Sequence, residues 1–231
     1  MHTGAHVMAT HASQRSLLAR GLADPALGFR RARALAKGHW YKFWFRLRGF
    51  RFTAGRNFRV NGSLSLRGPG AVTFGDDILI NGHVTPWTQS AEARIVIGNN
   101  VMLGSTRFGC VKEIVIGDDC LIASAQFTDT DFHSVQANRR SDEAPIRVAP
   151  IRLERNVWIG ENAAILAGTT IGENSVVGFA TVCMRPYPAN SIILGNPGKV
   201  VGPIPAAGMP NAEAPVSVAA STTSPALTGA L

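Results

Sequence analysis

Residues 153–182 read LERNVW IGENAA ILAGTT IGENSV VGFATV when divided into sixes. The first positions are Leu153, Ile159, Ile165, Ile171 and Val177, an unbroken aliphatic series. Neither the period of a helix, about 3.6, nor that of a flat strand, about 2, yields that spacing. Second positions are Gly160, Gly172 and Gly178, with Glu154 and Leu166 the exceptions, and fifth positions (Val157, Ala163, Thr169, Ser175, Thr181) are all small or β-branched. Fourth positions are Asn156, Asn162, Gly168, Asn174 and Ala180. Asn and Gly accept positive φ at least cost, so the pattern predicts one tight corner in every block. Short strands joined by such corners close into a three-sided coil of about 18 residues. Inward aliphatic side chains then stack from coil to coil, and strands of successive coils pair in parallel about 4.8 Å apart. The fold class expected is an all-β solenoid.

The phrase recurs upstream as Phe74-Gly75 with Asp77 and Ile78, as Ile80 with His83 and Val84, as Ile97-Gly98 with Asn100 and Val101, and as Ile116-Gly117 with Asp119 and Cys120. A solenoid over 53–204 follows, with its phase slipping between 80 and 97, between 103 and 116, and between 122 and 153. Insertions in a solenoid protrude as loops, where repeat folds carry function. Residues 1–52 form a basic segment, helical over 13–50. In it Trp40, Phe43, Trp44 and Leu47 make an apolar stripe, with Lys42 and Arg46 opposite. That stripe either covers the first open coil or lies on an anionic membrane surface. Residues 205–231, dominated by Ala, Pro, Ser and Thr, are expected to be a disordered tail.

The net charge of +8 is local: residues 13–51 hold ten Lys/Arg against Asp24 alone, hence +9, which leaves −1 for the rest. The nearly neutral repeat region lacks the interleaved aromatic and basic residues that bind nucleic acid, so none is expected as a partner. Cys110, Cys120 and Cys183 are odd in number and set among apolar residues, which argues for packing thiols rather than disulfides or a zinc site. No signal-like leader and no apolar run of about 18 residues stands in the sequence, so a cytoplasmic location is expected.

The longest break, 129–150, opens with Asp129-Thr130-Asp131-Phe132-His133-Ser134. If extended, it would place Asp129, Asp131 and His133 on one face. A carboxylate that holds one imidazole N–H fixes the tautomer and raises the basicity of the other nitrogen, as a general base requires. Taken alone, the same six residues fit better a surface loop whose histidine merely sits near acids.

The run Asn156-Val157-Trp158-Ile159-Gly160, the repeats after it, Pro188-Ala189-Asn190-Ser191 and the closing Gly195-Asn196-Pro197-Gly198-Lys199-Val200 resemble the hexapeptide-repeat acetyltransferases. The Asp-Phe-His-Ser loop is most similar to the branch that O-acetylates polysaccharides. The resemblance covers 95–202 closely and 56–94 loosely. It implies a left-handed parallel β-helix, acetyl-CoA as acyl donor with no metal required, and a homotrimer with cofactor grooves between neighbouring copies. His133 matches the family's catalytic base, with Asp131 first and Asp129 second as its orienting partner. Trp158, Gly160 and Phe179 match positions along the pantetheine channel, and Arg185 and Lys199 match cations near the CoA phosphates. The sequence departs from galactoside acetyltransferase before the catalytic loop, where Gly104-Ser105-Thr106-Arg107-Phe108 replaces a segment with an Asn. Ser105 and Arg107 are the candidates to substitute for it.

In the first inserted loop Trp87 offers a flat face on which a pyranose can stack, and His83 sits at a corner on the acceptor side. The function expected is acetyl transfer to a sugar hydroxyl of a surface polysaccharide or its lipid-linked precursor, with peripheral membrane contact through residues 13–50 at the membrane's inner face. Alternatives are an N-acyltransferase on an amino sugar, an antibiotic or serine acetyltransferase, and an inert β-helix scaffold. A γ-type carbonic anhydrase would need three histidine ligands on facing coils, and only His83 and His133 lie in the solenoid.

Overall fold

A computed structural model describes residues 25–205. The expected tail over 205–231 and the beginning of the basic segment therefore lie almost wholly outside the described residues. Among the described residues one α-helix, α1 (Pro25–Leu47), precedes twenty short strands. They build three sheets of six, eight and six strands. The first sheet stacks β1 (Phe52–Ala54), β4 (Ala71–Phe74), β7 (Arg94–Ile97), β10 (Glu113–Ile116), β13 (Ile151–Leu153) and β16 (Thr170–Ile171). The second stacks β2 (Arg59–Val60), β5 (Leu79–Ile80), β8 (Met102–Leu103), β11 (Leu121–Ile122), β14 (Trp158–Ile159), β17 (Val176–Val177), β19 (Ser191–Leu194) and β20 (Lys199–Pro203). The third stacks β3 (Ser63–Leu64), β6 (His83–Thr88), β9 (Arg107–Cys110), β12 (Gln126–Thr128), β15 (Ala164–Ile165) and β18 (Val182–Cys183). Every pairing is parallel except β19 with β20, which turns back and closes the C-terminal end. The molecule is a parallel β-solenoid of about seven turns.

Register shows where the phase slips. Arg152 pairs with Thr170, a plain coil of 18 residues, whereas Ile114 pairs with Ile151, a coil of 37 that contains the long insertion. Inward positions are filled by Ile80, Ile95, Leu103, Ile114, Ile122, Ile159, Ile165 and Ile171, all buried. Corners use positive φ as the six-residue pattern predicts: Asn156, Asn162, Asn174 and Ala180 lie between +52° and +59°, and Gly168 at +81°. Stacked corner amides also bond to each other, Asn156 Nδ2 donating to Asn174 Oδ1 at 2.9 Å and Asn174 Nδ2 to Asn190 Oδ1 at 3.1 Å.

The helix caps the first coil, but not with the stripe expected from its sequence. Ala34, Gly38 and Phe45 are buried against the solenoid, and Tyr41 packs partly buried beside them. Tyr41 Oη accepts the Leu64 N–H at 3.2 Å. A Cβ at Gly38 would collide with the Phe58 carbonyl, so this glycine is what lets the helix lie flat on the coil. Phe45 extends the contact into an aromatic cluster with Phe50, Phe52 and, through Phe52, with Phe58 and Phe74. Trp40, Phe43, Trp44 and Leu47 face the opposite way and are exposed. Hydropathy periodicity pointed to the larger side chains, while close packing selected the small ones.

Candidate active site

The third sheet presents its outer surface between two edges of the prism. Along the edge where the third sheet passes to the first, the insertion leaves after Thr128 and returns at Ile151. Its neck is a short antiparallel contact: Thr130 bridges Val148, the Asp131 N–H bonds the Arg147 carbonyl at 3.1 Å, and the Ala149 N–H bonds the Asp129 carbonyl at 2.9 Å. The insertion is therefore closed at its base and held by its own backbone.

Asp129 plays a part that its sequence position did not reveal. Its side chain is fully buried and accepts from the backbone N–H groups of Val111, Lys112 and Glu113 at 2.7–2.8 Å, with the Cys110 thiol at 3.5 Å. It ties the corner after β9 to the neck of the loop one coil later. The shared face expected for Asp129, Asp131 and His133 does not form, because Phe132 takes φ +60° and breaks the extended alternation. Around Phe132 the chain makes a three-residue turn closed by the His133 N–H on the Asp131 carbonyl at 2.7 Å. Thr130 Oγ1 accepts the Phe132 N–H at 3.1 Å, and Thr128 Oγ1 donates to the Thr130 carbonyl at 2.9 Å.

A bulky residue at positive φ is uncommon and needs support from its surroundings. That support is aromatic. The Phe132 ring stacks on Trp87 with centroids 5.9 Å apart and planes 19° from parallel. It also covers Gly109, where an added Cβ would come within 2.7 Å of Phe132 Cζ. Trp87 and Gly109 are register partners on β6 and β9, so the absent side chain leaves the seat into which the ring fits. Sequence reasoning missed both Phe132 and Gly109. The available signal was a single glycine at an outward position of a strand, a common mark of close approach.

His133 and Asp131 are both exposed on the rim of this turn, and their side chains make no hydrogen bond to each other. Trp87 stands beside them, with Arg107 two positions before Gly109 on the neighbouring strand and also facing out. His83 begins β6, about 13 Å away along the strand at about 3.3 Å per residue, on the edge between the second and third sheets. There His83 Nδ1 meets Ser63 Oγ at 2.5 Å, and the His83 N–H donates to Ser105 Oγ at 3.2 Å. The structure thus joins His83 to Ser105, and Trp87 to the His133 turn, but keeps the two pairs apart.

The residues matched to a cofactor channel divide in the same way. Trp158 points outward from β14, half exposed. At the adjoining corner an added Cβ on Gly160 would meet the Gly178 carbonyl carbon at 2.8 Å and the Phe179 nitrogen at 2.9 Å, and Phe179 itself is exposed. Those three lie on the edge that carries His83. Arg185 lies on the edge that carries His133, two coils or about 10 Å higher, and its Nη2 donates to the Gly198 carbonyl at 3.3 Å, next to Lys199. Its guanidinium also lies over the Tyr187 ring, 5.6 Å from the centroid.

All three thiols are buried inside the coil. Burial raises each well above the ordinary thiol range, to about 11 for Cys120 and Cys183, and higher still for Cys110, beside the Asp129 carboxylate. None is a nucleophile at neutral pH.

Residues 150–183 match the family model described as bacterial transferase hexapeptide (six repeats). Over those repeats the chain is similar to the hexapeptide-repeat acetyltransferases. Its relatives include WbbJ of Escherichia coli K12, provisionally named a lipopolysaccharide biosynthesis O-acetyl transferase, 27% identical over 66% of this chain and 69% of its own. A provisionally named acetyltransferase of Schizosaccharomyces pombe is 33% identical over 47% of this chain and 43% of its own, so the match spans under half of that relative. Among solved structures this hexapeptide-repeat protein is similar in fold to a point mutant of AntD, an N-acyltransferase from Bacillus cereus, in complex with dTDP and coenzyme A. The TM-score is 0.56 at 18% identity, covering 70% of this chain and 88% of that one.

Proposed function

We propose that the chain transfers an acetyl group from acetyl-CoA to a hydroxyl of a sugar in a surface polysaccharide or its lipid-linked precursor. The observation that carries this reading is the His133 turn: an exposed imidazole on a strained turn, seated on the solenoid wall through Phe132, Gly109 and Trp87. Backbone strain of this kind clusters at functional sites.

In the reaction, His133 takes the proton of the acceptor hydroxyl as its oxygen attacks the thioester carbonyl. The tetrahedral adduct collapses with cleavage of the C–S bond, and the proton passes to the departing thiolate, giving the ester and free CoA. Asp131 orients the imidazole when the acceptor closes the site; Asp129 is given over to holding the neck. Trp87 supplies the stacking face for a pyranose and Arg107 a donor beside it, with His83 and Ser105 on the acceptor side of the other edge. Trp158, Gly160 and Phe179 line the pantetheine, and Arg185 and Lys199 meet the phosphates.

Because these groups divide between two edges of one prism, a single copy does not surround a complete site. A homotrimer that sets the His133 edge of one copy against the Trp158 edge of the next does, with the donor in the groove between them. A lipid-linked acceptor would be met at the inner face of the membrane, with residues 13–50 as the part of the chain that reaches it.

The test is CoA release by wild type and His133→Ala against sugars, nucleotide sugars and polysaccharide fragments. A thiol reagent can read it directly, since the protein's own cysteines are buried. Wild-type turnover, with a loss on the order of 10²–10⁴-fold in the variant, is the expected outcome. Equal rates in the two proteins would remove His133 from the reaction, and turnover on amines but not hydroxyls would make the enzyme an N-acyltransferase.

A further inference from the structure

The helix α1 has two apolar faces, and only one is used. Ala34, Gly38, Tyr41 and Phe45 recur at helical spacing and lie on the solenoid. On the other side, roughly half a turn around at about 100° per residue, stand Phe29, Trp40, Phe43, Trp44 and Leu47. Their exposures of 72%, 56%, 59%, 37% and 66% leave them open to solvent, Trp44 the least. Three of them form a continuous surface: Trp40 stacks on Trp44 at 5.9 Å and 14°, and Phe43 lies 6.1 Å from Trp40, while Phe29 stands about 16 Å earlier along the helix axis. An outward aromatic cluster of this size on one helix is unusual for a surface that meets only water.

Charge says what covers it. From Pro25 to Gly75 the chain has no acidic residue. At about 100° per residue Arg33 falls within the aromatic face and Arg30 and Arg46 to its two sides, all exposed, and Arg48 lies over the Trp44 ring at 5.6 Å. The ion pairs among the described residues (Arg56–Asp76, Arg94–Glu113, Arg155–Asp119) leave these four cations out. A second copy of the same face would bring like charges together across a symmetric contact. The preceding residues 1–24, with Arg15 and Arg20 against Asp24, offer no negative complement either. Aromatic rings framed by arginines fit the boundary between headgroups and acyl chains, where the rings bury and the cations meet anionic headgroups.

We infer that α1 docks the enzyme on an anionic lipid surface through Phe29, Trp40, Phe43, Trp44 and Leu47, while its Ala34–Phe45 face holds the solenoid. This deepens the membrane localisation under the proposed function and does not depend on the acetyl-transfer chemistry.

The full chain would be sedimented with vesicles of phosphatidylcholine alone and with about a third phosphatidylglycerol. Wild type should pellet with the anionic vesicles, release as salt rises, and stay in solution with the neutral ones. The triple variant Trp40→Ser/Phe43→Ser/Trp44→Ser, with an unchanged melting temperature because all three side chains are exposed, should bind at least about tenfold more weakly. Should the variant misfold, quenching of wild-type tryptophan fluorescence by lipids brominated near the headgroup gives the same answer. Wild type left in solution with anionic vesicles, equal binding by the variant, or a lower oligomeric mass of the variant without vesicles would overturn the inference, the last by assigning the face to a second copy. Acetylation of a water-soluble sugar should be the same in both proteins, so loss of docking and loss of the proposed reaction are told apart.

Discussion

The coils between Leu153 and Val182 and the insertion between Asp129 and Pro150 belong to the same prism, yet they are stabilised by different kinds of contact. Each coil repeats one local rule: an aliphatic residue inward, a small residue beside it, an Asn or Gly at the corner. The insertion depends on single contacts to another coil, namely the Asp129 carboxylate on the N–H groups of 111–113 and the Phe132 ring over Gly109. A rule repeated in every coil spreads its stabilisation over many neighbours, whereas a unique contact has no substitute. Changes to each region should therefore differ in size and in what they affect.

The largest structural effects are expected at the hinge between the two regions and inside the coils. Asp129→Ala removes the acceptor of three part-buried backbone donors at once, and its cost should be about 3 kcal/mol, at the low end of what is found when one partner of a buried charged contact is removed. Asp129→Asn, which keeps one carbonyl acceptor, should cost roughly half as much. Chemical denaturation of both variants reads this directly. A loss under about 1 kcal/mol for the alanine variant would mean that water replaces the carboxylate and that the neck does not depend on it.

Within the coils, Ile159→Ala should cost about 3 kcal/mol, as for other fully buried isoleucines, while kcat remains close to wild type. The His133 turn does not rest on that side chain, so a change that lowers stability without touching activity separates scaffold from site. A parallel fall in kcat would show that the two regions are coupled through the core.

These expectations also explain what the sequence made legible. Corners, inward positions and three of the places where the phase slips could be read, because each is the local outcome of one six-residue rule and errors at one repeat are corrected by the next; the slip that makes the first coil 20 residues long was not. Asp129 could not be separated from Asp131 by inspection: its three donors belong to the preceding coil, and nothing within the hexapeptide Asp129–Ser134 records them. Phe132 looked like a spacer between two polar groups, since the seat for its ring is an absence, the missing side chain of Gly109 on another strand. The helix misled for a related reason. Its Trp and Phe residues dominate any hydropathy pattern, but Ala34 and Gly38 make the close approach, and space rather than hydrophobicity decided which face packed.

Filling the Gly109 seat tests whether the insertion is positioned from the wall. Gly109→Ala should displace the Phe132 ring and cost about 1–2 kcal/mol through overpacking at the loop. Its larger signature should be in catalysis: a fall in kcat of about tenfold with KM for acetyl-CoA little changed, since misplacing a reacting group affects the chemical step more than binding. Phe132→Ala should reproduce that split and Phe132→Leu should recover part of it. Loss of stability with kcat intact would make the aromatic stack a structural fastening only.

The smallest effect is expected where the coil rule is itself broken. Ala180 occupies a corner at φ +52° that its counterparts fill with Asn162 and, on other edges, Asn156, Asn174 and Gly168. An alanine in the left-handed region carries a steric cost of roughly 1–2 kcal/mol that glycine does not. Part of the gain from Ala180→Gly is offset by the greater entropy of the unfolded glycine chain, so the net stabilisation should be about 0.5–1 kcal/mol. The position follows Phe179 on the edge assigned to the donor, which gives the substitution a second readout. If the corner is merely a departure from the repeat, stability rises and the KM for acetyl-CoA is unchanged. A rise in KM together with the gain in stability would mean that alanine is retained there to hold the Phe179 backbone against the donor, making this strained corner part of the site as the Phe132 turn is on the opposite edge.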